Sequence, residues 1–485
     1  MSDRARSAAA LAPLCMVAGF LFLAPLFVTE IVLQKWWWAG LHFWRLPVLP
    51  VAWGVVAALI PVAVLLAPDD VYTRARSAVR ARIAELPPRL LHPAALLCAG
   101  IFLLWIFRSV SLIFGDAYFY VTDLIPTQAF SDRGMIIMFD SVGATFMYSF
   151  GYRFANLWFG LDVLQWYNVA GIATLLAFLA WAWRARGRRR FLGTGLVLAL
   201  LFTGNWSQAT MGAPEHYGQL LLAILAFSIL AWESFEGREP TWKPCLAYSL
   251  GAFFHLGIGW MFPALLWLVV RRWKRDNSIE RTFALLAMIL PALLTGVMTY
   301  DLGFDLTFFT ASNAGKGKFI PLIGPTHPWS GANYQYATFD PRHLAHIAQE
   351  VVLMGWPGLL LIAGALPHAE WRWFARNEKG VFLLAMLGGA LLLCLLWNPD
   401  LEFWRDQDLF SMVGIPVCLV GVVAVLGPPG DRMSPALRQR LLAAALLGGL
   451  AWRIPVILYH SVLALNYFDS GVTGAWWPFE VSFAR

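Results

Sequence analysis

Charged residues are scarce in this chain. Only 13% of its 485 residues are Asp, Glu, Lys or Arg, whereas 59% are hydrophobic and the mean hydropathy is +0.62. A water-soluble domain of this composition would expose too much apolar surface, so the sequence predicts a polytopic membrane protein. The net charge of +7 does not indicate a nucleic-acid partner, because the positive residues cluster in segments that mark a cytoplasmic face.

Cysteine is also rare, and the five that occur stand singly in apolar runs without CxxC spacing. We interpret them as small core residues, not as disulfides or metal ligands. The chain lacks the GxxxxGK[ST] phosphate loop, which excludes a nucleotide site of that kind. It also lacks an internal repeat, which argues against a transporter built from repeated halves.

Long apolar runs dominate what is present. With about 20 residues per span as the template, they predict an all-α fold with about eleven transmembrane helices. The predicted spans lie near residues 9–33, 47–67, 92–114, 166–183, 191–203, 219–235, 281–300, 346–366, 380–397, 409–427 and 441–465. The run from Cys245 to Val270 contains two glycines and a proline that can break a helix, and a basic group follows it. We therefore expect it to form a re-entrant hairpin.

The basic residues predict the topology. With that hairpin, the cytoplasmic segments hold 25 of the 36 Lys and Arg residues, which places the N-terminus inside and the C-terminus outside. These segments are 1–8, 68–91, 184–190, 236–244, 271–281, 367–379 and 428–440. We expect four units along the chain: two N-terminal helices and a basic loop (1–91), a core (92–300), an external lid loop (301–345) and C-terminal helices (346–485).

Four polar clusters fall on the predicted outer side. They are residues 114–123 with Asp116, Tyr118 and Asp123, residues 204–217 with Glu215 and His216, residues 313–318 with Lys316 and Lys318, and residues 397–408 with Arg405, Asp406 and Asp408. The first cluster opens an acidic external loop, 115–165, whose second half is expected to form helices in the membrane interface. The long loop 301–345 is typical of a mobile lid.

This layout resembles the GT-C superfamily of membrane glycosyltransferases. The matching features are Gly115-Asp116 through Asp123, the loop to Gly160, the outer Glu215-His216-Tyr217 cluster and the Lys-bearing loop. Asn398-Pro399 followed by Arg405-Asp406-Gln407-Asp408-Leu409-Phe410 is similar to a segment of some bacterial members. Two helices precede the one that leads into the acidic loop, where the usual layout has the loop after the first helix. Residues 1–91 are therefore expected to be an added module.

The resemblance implies that a sugar moves from a polyprenyl-phosphate donor to an acceptor hydroxyl. Such a transfer needs a base for the acceptor proton and positive charge beside the departing phosphate. Asp116 is the candidate base; alternatively it caps a turn or pairs with Arg108 or Arg133. Asp123 would share a helix face with Asp116 as an accessory acid, or it is a surface charge.

The remaining candidates would bind the donor or the acceptor. For the donor phosphate they are Arg405, Lys316, Lys318 and His216; for the sugar or acceptor they are Glu215, Tyr118, His255 and Asp408. Four of them have a structural alternative: Arg405 pairs with its acidic neighbours, Glu215 and His216 close two short helices, and His255 is a core histidine.

No cofactor is required, because a lipid monophosphate leaves without a metal. The Asp406-x-Asp408 spacing nonetheless resembles the metal-binding pair of nucleotide-sugar enzymes, which keeps a divalent metal as an alternative. The sequence thus predicts a glycosyltransferase of a bacterial inner membrane with a periplasmic active site and a glycan, lipid or protein acceptor. Its rivals are an oligosaccharide ligase with a lipid-pyrophosphate donor and a membrane transporter or lipid flippase.

Overall fold

The computed structural model describes most of the chain. The described residues are 3–23, 49–87, 93–106, 108, 120–129, 141–184, 191–211, 213, 216–301, 338–397 and 410–458. Within these ranges the regular structure is helical and there is no β-strand. The all-α prediction is therefore confirmed for the part of the chain that the structure describes.

Seventeen α-helices occur in the described ranges, several of them joined by short 3₁₀ turns. They are α1 Asp3–Leu23, α2 Leu49–Leu66, α3 Asp69–Ala84, α4 Pro93–Ile106, α5 Ile125–Ala129, α6 Val142–Phe159, α7 Val163–Arg184, α8 Gly195–Phe202, α9 Tyr217–Phe235, α10 Trp242–Phe254, α11 Phe262–Trp273, α12 Ser278–Asp301, α13 Pro341–Ala365, α14 Arg372–Arg376, α15 Glu378–Leu396, α16 Gly414–Leu426 and α17 Pro435–Leu458.

Four helical segments among the described residues are long and apolar enough to cross a membrane. They are Val163–Arg184, Tyr217–Phe235, Glu378–Leu396 and Ser411–Arg432, and each covers one predicted span. The second and fourth are buried almost all round, as expected for apolar helices at the centre of a bundle. The other two are only about half buried, so they bound the bundle. The larger number of about eleven spans stays a prediction.

Close backbone contact joins α13 to α16. A Cβ placed on Gly358 would lie 2.5 Å from the Cα atom of Cys418, and Gly421 meets Gly358 from the opposite helix. Glycine at such crossings lets two helices approach until dispersion contacts form between their backbones. This contact is one that helices use inside a membrane, where lipid removes the hydrophobic drive for them to associate.

The chain reverses between α10 and α11. α10 has 13 residues, about 20 Å at 1.5 Å per residue, and a 3₁₀ turn, Leu256–Met261, leads from it into α11. Near the end of α11, Nε of Arg272 donates to Oγ1 of Thr241 at 3.4 Å, just before α10 begins. Both ends of the hairpin thus lie at one level. The expected hairpin geometry is present, and its re-entrance into a bilayer stays a prediction.

Ion pairs gather the predicted cytoplasmic segments at one end of the bundle. Asp69 binds Arg4 at 2.6 Å and Arg440 at 2.8 Å, which connects segments 1–8, 68–91 and 428–440. Similar contacts extend this network to three more segments: Arg432 to Glu370, Arg275 to Glu378, and Lys379 to Glu236. Six of the seven basic segments therefore share one face. Segment 184–190 lies almost entirely outside the described residues.

The N-terminal helices pack directly on the C-terminal ones. Pro61 of α2 and Leu360 of α13 face Gly448 of α17, and Leu11 of α1 and Leu441 of α17 face Gly364 of α13. Residues 3–23 and 49–66 thus belong to the same helix bundle as residues 338–458. The segment that connects them to the core also contains α3, an exposed helix that the sequence analysis did not anticipate.

Four of the five cysteines are buried and unpaired, in agreement with the interpretation as core residues. The exception is Cys98 of α4, which is exposed. It adjoins Phe102 and Leu103, two large apolar side chains that are also exposed. Such a continuous apolar surface is expected where a helix faces lipid.

Candidate functional site

The candidate site lies at the end of the bundle opposite the basic face. Of the predicted site residues, the structure describes His216, His255 and the backbone of Asp123, which lies in a π-helical turn, Tyr120–Leu124. The others lie outside the described residues: Asp116, Tyr118, Glu215, Lys316, Lys318, Arg405, Asp406 and Asp408. Their roles therefore stay predictions.

His216 forms the centre of the described part of the site. It precedes α9 and is only 1% exposed. Nδ1 of the imidazole lies 2.9 Å from Oγ of Ser141, and Nε2 lies 3.2 Å from the hydroxyl of Tyr167. Both ring nitrogens therefore have partners from other elements, and one of these hydrogen bonds would have to open before His216 could contact a phosphate.

Tyrosine rings surround this histidine. Tyr120 stacks on it with ring centroids 4.3 Å apart, and Tyr148 stacks in turn on Tyr167 at 3.7 Å. Gln219, one turn into α9, donates from Nε2 to the Tyr148 hydroxyl at 2.6 Å. The acidic loop that the sequence predicts to be external is thereby attached to the start of α9, because Tyr120 follows Asp116 by four residues in the sequence.

Burial determines the charge state of His216. Desolvation, with a smaller contribution from His255, lowers the pKa of its imidazole to about 3. The ring is therefore neutral at physiological pH and offers one donor and one acceptor. In this state His216 can orient the tyrosines and the loop, whereas it supplies no positive charge for a phosphate.

His255 lies at the tip of the hairpin, as the sequence analysis expects. Its ring is 4.7 Å from that of Tyr217, the first residue of α9, so the tip reaches the level at which α9 begins. Nδ1 of His255 accepts a hydrogen bond from the backbone N–H of Gly257 at 2.9 Å, which caps the following 3₁₀ turn. The two histidines thus flank the same helix start.

The polar segment after α8 is buried, where the sequence analysis expects an outer loop. Asn205–Thr210 forms a 3₁₀ turn inside the protein, and Asn205 and Gln208 are only 4% and 6% exposed. The cause is the short α8, whose eight residues rise only about 12 Å and end within the bundle.

An apolar groove of about 450 Å³ opens beside this turn. Its walls include Leu104 of α4, Leu179 of α7 and Leu198 of α8, together with Met211, which directly follows the turn. We call it the α4–α7–α8 groove. A groove lined by hydrocarbon side chains that leads to a buried polar segment suits an amphipathic molecule.

Sequence reasoning missed Arg453, a buried residue of α17 that contacts the same turn. It is the one Asp, Glu, Lys or Arg residue in the predicted span 441–465, and a charged residue in an apolar run is itself a functional signal. Among the described residues, no group of three or more His, Cys, Asp or Glu side chains is arranged to hold a metal ion. The weak metal candidates, Asp406 and Asp408, lie outside them.

The described fold defines a class: an all-helical protein whose apolar helices can cross a membrane, with ion pairs at one end and buried polar residues at the other. Comparisons of the chain with protein-family models, with curated proteins and with solved structures found no match.

Proposed function

We propose that this chain is a GT-C-like integral membrane glycosyltransferase with about eleven spans. It moves a sugar from a polyprenyl-phosphate donor to an acceptor hydroxyl on the periplasmic side of a bacterial inner membrane. The observation that carries the proposal is the α4–α7–α8 groove beside a buried polar turn. That arrangement suits a substrate with a long hydrocarbon chain and a polar head.

Two further observations support it. Six basic segments share the face opposite to His216, as they would if that face were cytoplasmic and the polar site external. The acidic loop that begins at Asp116 is attached through Tyr120 to the start of α9. The loop therefore adjoins the part of the fold where the proposal has the sugar react.

The proposed reaction is a direct displacement at the anomeric carbon of the sugar. Asp116 takes the proton of the acceptor hydroxyl while that oxygen forms its bond to the anomeric carbon. The bond from this carbon to the phosphate oxygen breaks, and the polyprenyl phosphate leaves with the bonding electrons. Arg405 and a lysine of residues 316–318 stabilise the departing phosphate, and Asp123 assists in holding the acceptor.

A transfer assay with the purified chain in lipid nanodiscs tests the proposal. A panel of polyprenyl-phosphate sugars is offered with glycan, lipid and protein acceptors, with and without EDTA. We expect sugar release from one donor, unchanged by EDTA, and a large loss in Arg405→Ala. If the protein instead moves intact lipid between leaflets and releases no sugar, the transferase proposal is wrong and the flippase alternative replaces it.

A further inference from the structure

The further inference concerns Arg453, which is 3% exposed. It follows Arg440 by thirteen residues on α17, which is about 20 Å along the helix axis. Arg440 lies in the ion-pair network at the basic face, where Asp69 balances its charge at 2.8 Å. A second arginine so far along the helix lies deep in the bundle, where an unbalanced charge is costly.

In the described structure Arg453 contacts only uncharged acceptors. Nη1 donates to the backbone oxygen of Gly204 at 2.8 Å. Nη2 lies 3.5 Å from Oε1 of Gln208 and 3.4 Å from the thioether sulfur of Met211. Among the described residues no carboxylate pairs with it, and sulfur is a weak hydrogen-bond acceptor. The guanidinium therefore lacks an anionic partner in the described part of the chain.

The turn beside Arg453 adds donors without acceptors. Nδ2 of Asn205, Nε2 of Gln208 and the indole Nε1 of Trp206 are all buried, and none has a hydrogen-bond partner in the described part of the chain. Leaving a buried donor without a hydrogen-bond partner destabilises the fold. Several such donors around one buried guanidinium are expected where an anion completes the site.

The α4–α7–α8 groove adjoins this cluster at one residue, Met211. Met211 lines the groove and also contacts Arg453 through its sulfur. This flexible side chain thus connects the hydrocarbon wall of the groove to the guanidinium. Methionine has several accessible rotamers and repacks readily, so it can turn away and leave its place to a phosphate oxygen.

We propose that Arg453, with the side-chain amides of Asn205 and Gln208, binds the phosphate group of a lipid whose hydrocarbon chain lies in the α4–α7–α8 groove. Three N–H-bearing side chains then meet one phosphate, and the guanidinium gains its counter-ion. That this lipid is the sugar donor rests on the proposed function, whereas the binding itself does not. The site acts in addition to Arg405, Lys316 and Lys318.

Binding to the full chain in nanodiscs tests this site, with a polyprenyl monophosphate, the neutral polyprenol and inorganic phosphate as probes. The variants are Asn205→Leu and Arg453→Gln, with Arg438→Gln as a matched control, because Arg438 lies on the same helix and pairs with the exposed carboxylate of Asp431. Asn205→Leu is informative because both polar atoms of that side chain lack partners among the described residues. It should raise the melting temperature and still weaken phosphate binding, which a purely structural role would not produce.

We expect wild type to bind the polyprenyl monophosphate at least tenfold more tightly than polyprenol, and inorganic phosphate not to displace it. Asn205→Leu should weaken monophosphate binding roughly tenfold and Arg453→Gln more, with polyprenol binding unchanged. Equal binding by wild type and Asn205→Leu would overturn the assignment, as would displacement by inorganic phosphate at equal affinity. Monophosphate binding without any sugar transfer would leave this site standing and refute the proposed function alone.

Discussion

Gly388 and Gly389 of α15 offer a matched test of the helix packing that supports the hairpin. A Cβ on Gly389 would overlap the carbonyl oxygen of Trp260 and lie 2.9 Å from its carbonyl carbon, whereas ordinary contact begins at 3.4 Å. A Cβ on Gly388 would meet nothing within 4 Å. The alanine variants of these two neighbours therefore differ in one respect, the collision with the turn Leu256–Met261.

The size of the effect follows from that collision. Replacing glycine by alanine inside a helix stabilises the helix by up to about 1 kcal/mol. Both variants gain this stabilisation, so it cancels when their stabilities are compared. The turn and α15 must separate by roughly half an ångström or more in Gly389→Ala, and overpacking of this kind costs about 1–3 kcal/mol. We expect Gly389→Ala to be less stable than Gly388→Ala by that amount.

Unfolding of the purified variants in mixed micelles, followed by the fluorescence of the 25 tryptophans, measures this difference. Gly388→Ala should unfold at the wild-type midpoint or slightly above it, and Gly389→Ala below it. If the two variants unfold at the same midpoint, α15 does not pack closely against the turn Leu256–Met261. The described geometry of the hairpin would then be wrong.

Three more results are expected. Asp69→Asn should lower the melting temperature, because buried Arg440 loses its carboxylate, whereas Asp70→Asn should not, since its partner is an exposed arginine. His216 has a folded-state pKa of about 3 against 6.5 when exposed, so the unfolded chain binds its proton first as pH falls. Wild type should therefore lose up to about 2 kcal/mol of stability between pH 7 and pH 5 that His216→Gln keeps; equal pH profiles would contradict the burial of the ring. A cysteine at Ser77, in a chain otherwise free of cysteine, should react with an impermeant maleimide only in inside-out vesicles. Labelling in intact cells would show that this segment lies outside and would contradict the predicted topology.

The sequence predicts the long apolar helices well because their apolar runs match the thickness of a bilayer. The runs 166–183 and 219–235 became Val163–Arg184 and Tyr217–Phe235, with boundaries shifted by three residues or fewer. The basic segments were also informative, since six of them gather at one face. Such patterns are local, and the physical demand behind each is simple.

α3 shows where an apolar template fails. Its sequence is charged and none of its residues is buried, so a search for apolar spans passes over it. Local signals were nevertheless present, because Asp69 and Asp70 begin the helix after Pro68 and Arg82 lies in its last turn. Acidic residues at the start and basic residues at the end of a helix favour its dipole.

The candidate site was harder to predict because its contacts join distant parts of the chain. His216 and Ser141 are 75 residues apart, and Arg453 and Gly204 are 249 apart. No pattern in one sequence gives such pairings. The burial of Asn205 and Gln208 likewise depends on how many helices surround the short helix α8. The sequence gives the length of α8, but the number of helices around it follows only from the tertiary packing.

The central claim is that Asp116 carries the chemistry of a sugar transfer. The most direct test is single-turnover release of sugar from a bound polyprenyl-phosphate donor by wild type, Asp116→Asn and the control Asp132→Asn, an acid of the same loop. The account predicts that all three bind the donor equally, that Asp132→Asn releases sugar at the wild-type rate, and that Asp116→Asn is slower by at least roughly 100-fold. Release by Asp116→Asn at the wild-type rate would contradict it.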